Sequence, residues 1–155
     1  MDAMDRRKNV PPRAAPAMES PPPAGAPLMS STVVAGFPSP AEQYVERPLD
    51  LNELLVARPA ATYFVRASGD SMSGAGVQDG DLLVVDRSLE PEDGSMVIAC
   101  VDGEFTVKTY RRDRGGVRLE AANPAYPPIA FAGEMELRVF GVVTAIVRRL
   151  VAREP

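Results

Sequence analysis

Ser71 sits in the stretch RASGDSMSGAG, residues 66–76, directly after the apolar run TYFVRA. A serine displayed on a glycine-rich turn at a strand end is how many hydrolases hold a nucleophile. Its hydroxyl attacks only when a neighbouring base takes its proton. The usual base is missing, because the chain of 155 residues contains no histidine. That excludes a Ser-His-Asp triad and every His-ligated metal site. Two lysines stand against fifteen arginines: Lys8 near the N-terminus, and Lys108 in the run EFTVKTY. Arginine keeps its proton near neutral pH, whereas a desolvated lysine can lose it. If the folded domain contains a nucleophilic serine with a lysine base, that base is Lys108. Alone, a lysine on a strand reads as a solvated surface charge; Lys108 stands out because the domain otherwise uses arginine for every positive charge. A free lysine has a pKa of about 10.4, so about one molecule in a thousand is neutral near pH 7.4. Complete burial lowers that value by ~3–5 units. The elements around Lys108 must therefore supply a dry cleft as well as a position.

From residue 41 onward those elements are mostly strands. The run LDLNELL predicts one short helix, with Asp50 as its cap, Glu53 three residues on, and Leu51, Leu54 and Leu55 on one face. Pro59 is expected to end it. The runs TYFVRA, DLLVVD, MVIACV, EFTVKTY, VRLEAA and LRVFGVVTAIV then read as strands. Asp102-Gly103 is a two-residue hairpin signal, Gly115-Gly116 closes a second hairpin, and Asp79-Gly80 marks a turn before DLLVVD. Alternation along EFTVKTY puts Phe105 and Val107 on one face and Thr106, Lys108 and Tyr110 on the other. The fold class expected is a mostly antiparallel β-domain with one short helix and no internal repeats.

Composition changes near residue 40. Nine of the sixteen prolines fall in the first forty residues, among Ala, Ser, Gly and Met. Such a segment buries too little apolar surface to offset its ordering entropy, so residues 1–40 read as an extended or disordered arm and residues 41–155 as the folded domain. Within the arm, STVVAGFPSP places Val33, Val34 and Phe37 around the small pair Ala35 and Gly36. A short apolar patch of this kind can enter a groove as an added strand.

The totals exclude several classes. A net charge of -4 argues against direct, tight nucleic-acid binding, which needs a basic face. A single cysteine, Cys100, forms neither an internal disulfide nor a Cys-rich zinc site, and its place in MVIACV reads as a core thiol. No metal or cofactor is expected. No run approaches the ~18 apolar residues of a membrane helix. The N-terminal basic residues lack the apolar stretch of a secretory signal. The cytoplasm is the expected compartment.

The segment GFPSPAEQYVERPLDLNELLVARPAATYFVRASGDSM, with DGDLLVVDRS, VDGEFTVKTY, NPAYPPI and VFGVVTAIV, resembles the UmuD-like branch of the LexA-like self-cleaving Ser-Lys peptidases. The similarity runs from about Gly36 to Arg149, and its most specific marks are the Ser71 loop and the Lys108 strand. The resemblance implies that Ser71 is the nucleophile and Lys108 the general base. It implies that the chain cuts its own peptide bond between Ala35 and Gly36, with the backbone N–H groups of Asp70 and Ser71 as an oxyanion hole. It further implies a homodimer, stimulation of the cut by RecA on single-stranded DNA, and action of the shortened form with a UmuC-type translesion polymerase in the SOS response to DNA damage. No helix-turn-helix precedes the peptidase-like part, so a repressor role is not expected.

Two other readings compete. Signal peptidases also pair serine with lysine on a related β-fold, with methionine after the serine, but they carry a membrane anchor that this chain does not show. A non-catalytic dimeric module that regulates a polymerase is the alternative from a different class. It differs from the peptidase in one observable, whether the purified chain shortens itself.

Overall fold

The computed structural model describes residues 15–17, 25–29, 35–36, 45–131 and 136–151. Ten strands and one short α-helix follow one another: β1 (Ala15–Pro16), β2 (Gly25–Met29), β3 (Val45–Asp50), α1 (Leu51–Leu55), β4 (Thr62–Arg66), β5 (Leu82–Asp86), β6 (Met96–Val101), β7 (Glu104–Asp113), β8 (Gly116–Glu120), β9 (Ile129–Ala130) and β10 (Leu137–Val147). Eight of them form one antiparallel sheet in the order β1-β4-β5-β10-β6-β7-β8-β9, and β2 pairs with β3 apart from it. The mostly β, antiparallel architecture expected from the sequence is present. No helix among the described residues is long and apolar enough to cross a membrane.

Successive side chains of a strand point to opposite faces. In β5, Leu83, Val84 and Val85 are all fully buried, and in β6 so are Val97, Ile98 and Ala99. The sheet is therefore covered on both faces in its middle. Ile98 packs with Val65, Met72, Leu83, Val85 and Phe140 on one side. Val97 and Ala99 pack with Tyr110 and Leu119 on the other. The long strand β10 holds the centre together by pairing with both β5 and β6, with a register shift on each side.

Several local expectations are refined. Asp50 caps α1 as read, accepting from the Asn52 N–H at 2.8 Å. The helix stops at Leu55, however, before Pro59, which instead opens a 3-10 turn over Pro59–Ala61. Leu51 and Leu54 are exposed, so the apolar face of the helix is not buried against the described residues. The Asp102-Gly103 hairpin is as expected, with φ of 48° and 87° at its two central residues, the left-handed pair a type I′ turn requires. The second hairpin closes one residue early: Asp113 pairs with Gly116, so Arg114-Gly115 is its loop. Cys100 is only half-buried, because it lies opposite Phe105 where β6 approaches its hairpin. In the arm, β1 is extended against Tyr63 and Phe64 of β4, and the Ala17 N–H donates to Thr62 O at 2.9 Å. Val33, Val34 and Phe37 lie outside the described residues.

One asymmetry positions the site. β7 pairs with β6 from Glu104 to Thr109, but β8 covers it only from Thr109 to Asp113. Among the described residues the Glu104–Lys108 half of β7 thus has a strand neighbour on one side only.

Gly141 tests the central packing. A Cβ there would stand 2.7 Å from Val85 Cγ1 and 3.0 Å from the Asp86 carbonyl oxygen, on the strand beside β10. Gly141→Ala is expected to cost about 1–3 kcal/mol through this overpacking, read as a lower urea midpoint with an unchanged slope. A wild-type midpoint would contradict the packing described.

Candidate active site

The loop between β4 and β5 carries Ser71, and it is pinched at its base. The Ala67 N–H donates to Asp81 O at 2.8 Å, and the Gly80 N–H donates to Ala67 O at 2.9 Å. Two apolar plugs, Met72 and Val77, are 2% and 3% exposed and tie the loop to the core. Between and around them the chain must reverse sharply. Gly69 and Gly76 supply φ of 88° and 86°, a region that favours glycine. From the end of β10, Arg148 grips the far side of the loop, donating to Gly76 O at 2.7 Å and to both oxygens of buried Asp81 at 2.6 Å. That guanidinium hydrogen bond holds the Asp81 carboxyl down at about 2. Ser71, next to the Met72 plug, is half-buried and fixed by what its neighbour buries.

Opposite it stands Lys108, only 7% exposed, where β7 loses its β8 neighbour. Its Nζ lies 3.0 Å from Ser71 Oγ, 2.8 Å from Thr106 Oγ1 and 3.1 Å from the Val107 carbonyl oxygen. Among the described residues no carboxylate pairs with it. Lys108 Nζ is within donating distance of Ser71 Oγ, Thr106 Oγ1 and Val107 O; a neutral amine would keep two of these donations and turn its lone pair to the Ser71 hydroxyl proton. Desolvation without a compensating negative charge disfavours the ammonium, and burial pushes Lys108 below the ordinary lysine value of 10.5. The arrangement is a serine hydroxyl within hydrogen-bond distance of an amine whose pKa burial lowers, the geometry that a serine nucleophile and a lysine base would need.

The sequence also points to Asp70, Ala35 and Gly36. The backbone N–H groups of Asp70 and Ser71 have no acceptor among the described residues. Ala35 and Gly36 form an exposed bend in the connection between the paired strands β2 and β3. No hydrogen bond joins them to the Ser71 loop among the described residues. Three further side chains at the site, Thr106, Asn123 and Tyr126, lie in segments that carry the resemblance, but neither their types nor their spacing singled them out. Strand alternation does set Thr106 on the Lys108 face. Asn123 and Tyr126 lie in NPAYPPI, whose composition says only turn. That segment reaches back to the Ser71 loop: the Gly74 N–H donates to Ala122 O at 2.7 Å, Asn123 Nδ2 to Asp70 O at 3.1 Å, and the Tyr126 hydroxyl to Asp70 Oδ1 at 2.6 Å.

Comparison with known proteins points the same way. The Peptidase S24-like family matches residues 27–144. ImpA of Salmonella typhimurium is 48% identical over 118 residues, which cover 72% of this chain and 76% of ImpA. MucA of Escherichia coli is 52% identical over 108 residues, covering 69% and 73%. A LexA repressor of Xanthomonas campestris is 38% identical over 113 residues, 72% of this chain and 55% of the repressor.

With only two lysines in the chain, the state of Lys108 is directly measurable. In protein carrying 13C-labelled lysine, the resonance lost in Lys108→Arg is expected to titrate below 10.5, against the ordinary lysine value. A midpoint at or above that value would contradict the desolvated amine.

Proposed function

Because the chain belongs to the S24-like peptidase family, we propose that it is a self-cleaving serine peptidase in which Ser71 and Lys108 cut the bond between Ala35 and Gly36. The observation that carries this reading is the 3.0 Å approach of Lys108 Nζ to Ser71 Oγ. Lys108 Nζ takes the hydroxyl proton as Ser71 Oγ attacks the Ala35 carbonyl carbon. The N–H groups of Asp70 and Ser71 hold the oxyanion that forms. The tetrahedral intermediate collapses, the C–N bond to Gly36 breaks, and the Lys108 ammonium returns its proton to the leaving Gly36 nitrogen. An ester joins Ser71 to the Ala35 carbonyl. Water, deprotonated by Lys108, attacks that ester. The C–O bond to Ser71 breaks, the Lys108 ammonium returns the proton to Ser71 Oγ, and residues 1–35 leave.

The bond suits the site. Neither Ala35 nor Gly36 has bulk to obstruct attack, and both are exposed in the connection between β2 and β3. By strand alternation the Val107 N–H and C=O face the flank that β8 leaves open, because Tyr110, three residues on, directs both its own groups toward Ser95 and Gly94. An extended arm can pair there. An arm tethered to its own domain also has a large effective concentration, so the cleft needs little affinity for free peptide. After the cut, β1 and β2 are no longer covalently joined to β4 and β3, their partners in pairing.

The resemblance to UmuD-like proteins supplies the setting: the SOS response, with RecA on single-stranded DNA as the stimulus and a homodimer of the shortened chain acting with a UmuC-type translesion polymerase. The acidic balance supports this division of labour. With a net charge of -4, the chain receives the DNA signal through a protein filament rather than by gripping DNA itself.

The pH dependence tests the roles. The neutral amine is the active form and its folded pKa is depressed, so the rate of self-cleavage is expected to rise with pH and level off above the folded pKa, before 10.5. Lys108→Arg keeps the charge but not the titration, and is expected to abolish cleavage at every pH. Ser71→Ala is expected to abolish it with the fold intact. A Lys108→Arg protein that shortens itself at the wild-type rate would refute the assignment. At the bond itself, Gly36→Val is expected to block the cut through the β-branched clash without lowering the melting temperature; release at an unchanged rate would place the bond elsewhere.

A further inference from the structure

The peptide linking Asp70 to Ser71 is held from one side only. Its carbonyl oxygen, Asp70 O, accepts from the Ser73 N–H and from Asn123 Nδ2, each at 3.1 Å. The Asn123 amide is itself oriented, because its Oδ1 accepts from the Ala125 N–H at 3.0 Å, which leaves Nδ2 for Asp70. The Tyr126 hydroxyl fixes the Asp70 side chain at 2.6 Å. In a trans peptide the C=O and N–H vectors are antiparallel in one plane, and the structure contains no cis bonds among the described residues. Pinning Asp70 O toward Asn123 therefore aims the Ser71 N–H the opposite way, and that N–H has no acceptor among the described residues.

We propose that Asn123 is a positioning residue that sets the direction of the Ser71 N–H as an oxyanion donor by anchoring the carbonyl at the other end of the same peptide. This rests on the peptidase reading above. Among the described residues Asn123 makes no hydrogen bond to Ser71 Oγ or to Lys108, so its contribution is separable from that of the base. Without the Nδ2 bond, one of the two donors that fix this plane is lost. The peptide can then rotate toward an orientation in which the Ser71 N–H no longer faces the oxyanion.

The test is the pH–rate profile of self-cleavage in full-length wild type, Asn123→Ala and Asn123→Ser. Serine keeps an acceptor for the Ala125 N–H, and so the local turn, but is too short to reach Asp70 O. Loss of a single oxyanion donor lowers rates by about 10²–10³-fold. Both variants are expected to show a plateau lowered toward about 10²-fold, with the pH midpoint unchanged because Lys108 sets it. A wild-type plateau in Asn123→Ser would overturn the proposal. So would a plateau loss accompanied by a shifted midpoint, since that signature belongs to a disturbed Lys108 pocket. A wild-type chain that never cleaves overturns the peptidase reading and this inference together, whereas cleavage at equal rates in all three proteins overturns this inference alone.

Discussion

Burying an ammonium is costly when no carboxylate offsets it, and Lys108 is buried beside a serine hydroxyl, with no carboxylate paired to it among the described residues. Much of the surrounding structure serves to keep it that way. Thr106 Oγ1 and Val107 O are neutral acceptors that satisfy two N–H bonds without stabilising the cation as an acidic side chain would. The domain's many arginines are placed elsewhere, on carboxylates such as Asp81, Asp86 and Glu120. The positive charges paired with carboxylates there are guanidinium groups, whereas the amine of Lys108 is desolvated and its pKa lowered.

The amine meets its serine because of where two strands stop. β8 leaves β7 at Thr109, which frees a flank beside Lys108. The chain leaving β8 then receives the Ser71 loop through Ala122 O, Asn123 and Tyr126. Gly74 is needed for that contact, since a Cβ there would stand 2.5 Å from Ala122 O. On the opposite side Arg148 anchors the same loop through Asp81 and Gly76. The Ser71 loop is thus clamped between the end of β10 and the segment after β8, two regions far from it in sequence.

Strands and hairpin turns were legible because their signals are local. The alternation in EFTVKTY and the Asp102-Gly103 pair fix a face and a register without tertiary help. Exclusion, from the missing histidine and the scarcity of lysine, named Lys108 as the only lysine base the folded domain could offer Ser71. The roles of the two came from the family resemblance, and the structure adds their 3.0 Å approach. Details set by tertiary packing were not. The short α1 ends before its proline because Val56, at φ -119° and ψ 80°, leaves the helical region, and two of its leucines, Leu51 and Leu54, face outward. The second hairpin loop moved by one residue because register, rather than the glycine pair, set the turn. The role of NPAYPPI was hidden for the same reason: its hydrogen-bond partner, Asp70, lies 53 residues before Asn123 and 56 before Tyr126, and only the folded chain brings them into contact.

The central claim is that Ser71 and Lys108 sever this chain at a single bond. Its most direct test is the intact mass of the products formed when the purified protein is held at mildly alkaline pH, with and without RecA filaments on single-stranded DNA. Two fragments matching residues 1–35 and 36–155, absent when Ser71 is alanine, are the result the account predicts. A chain that keeps its full mass under both conditions, or breaks at another bond, would contradict it.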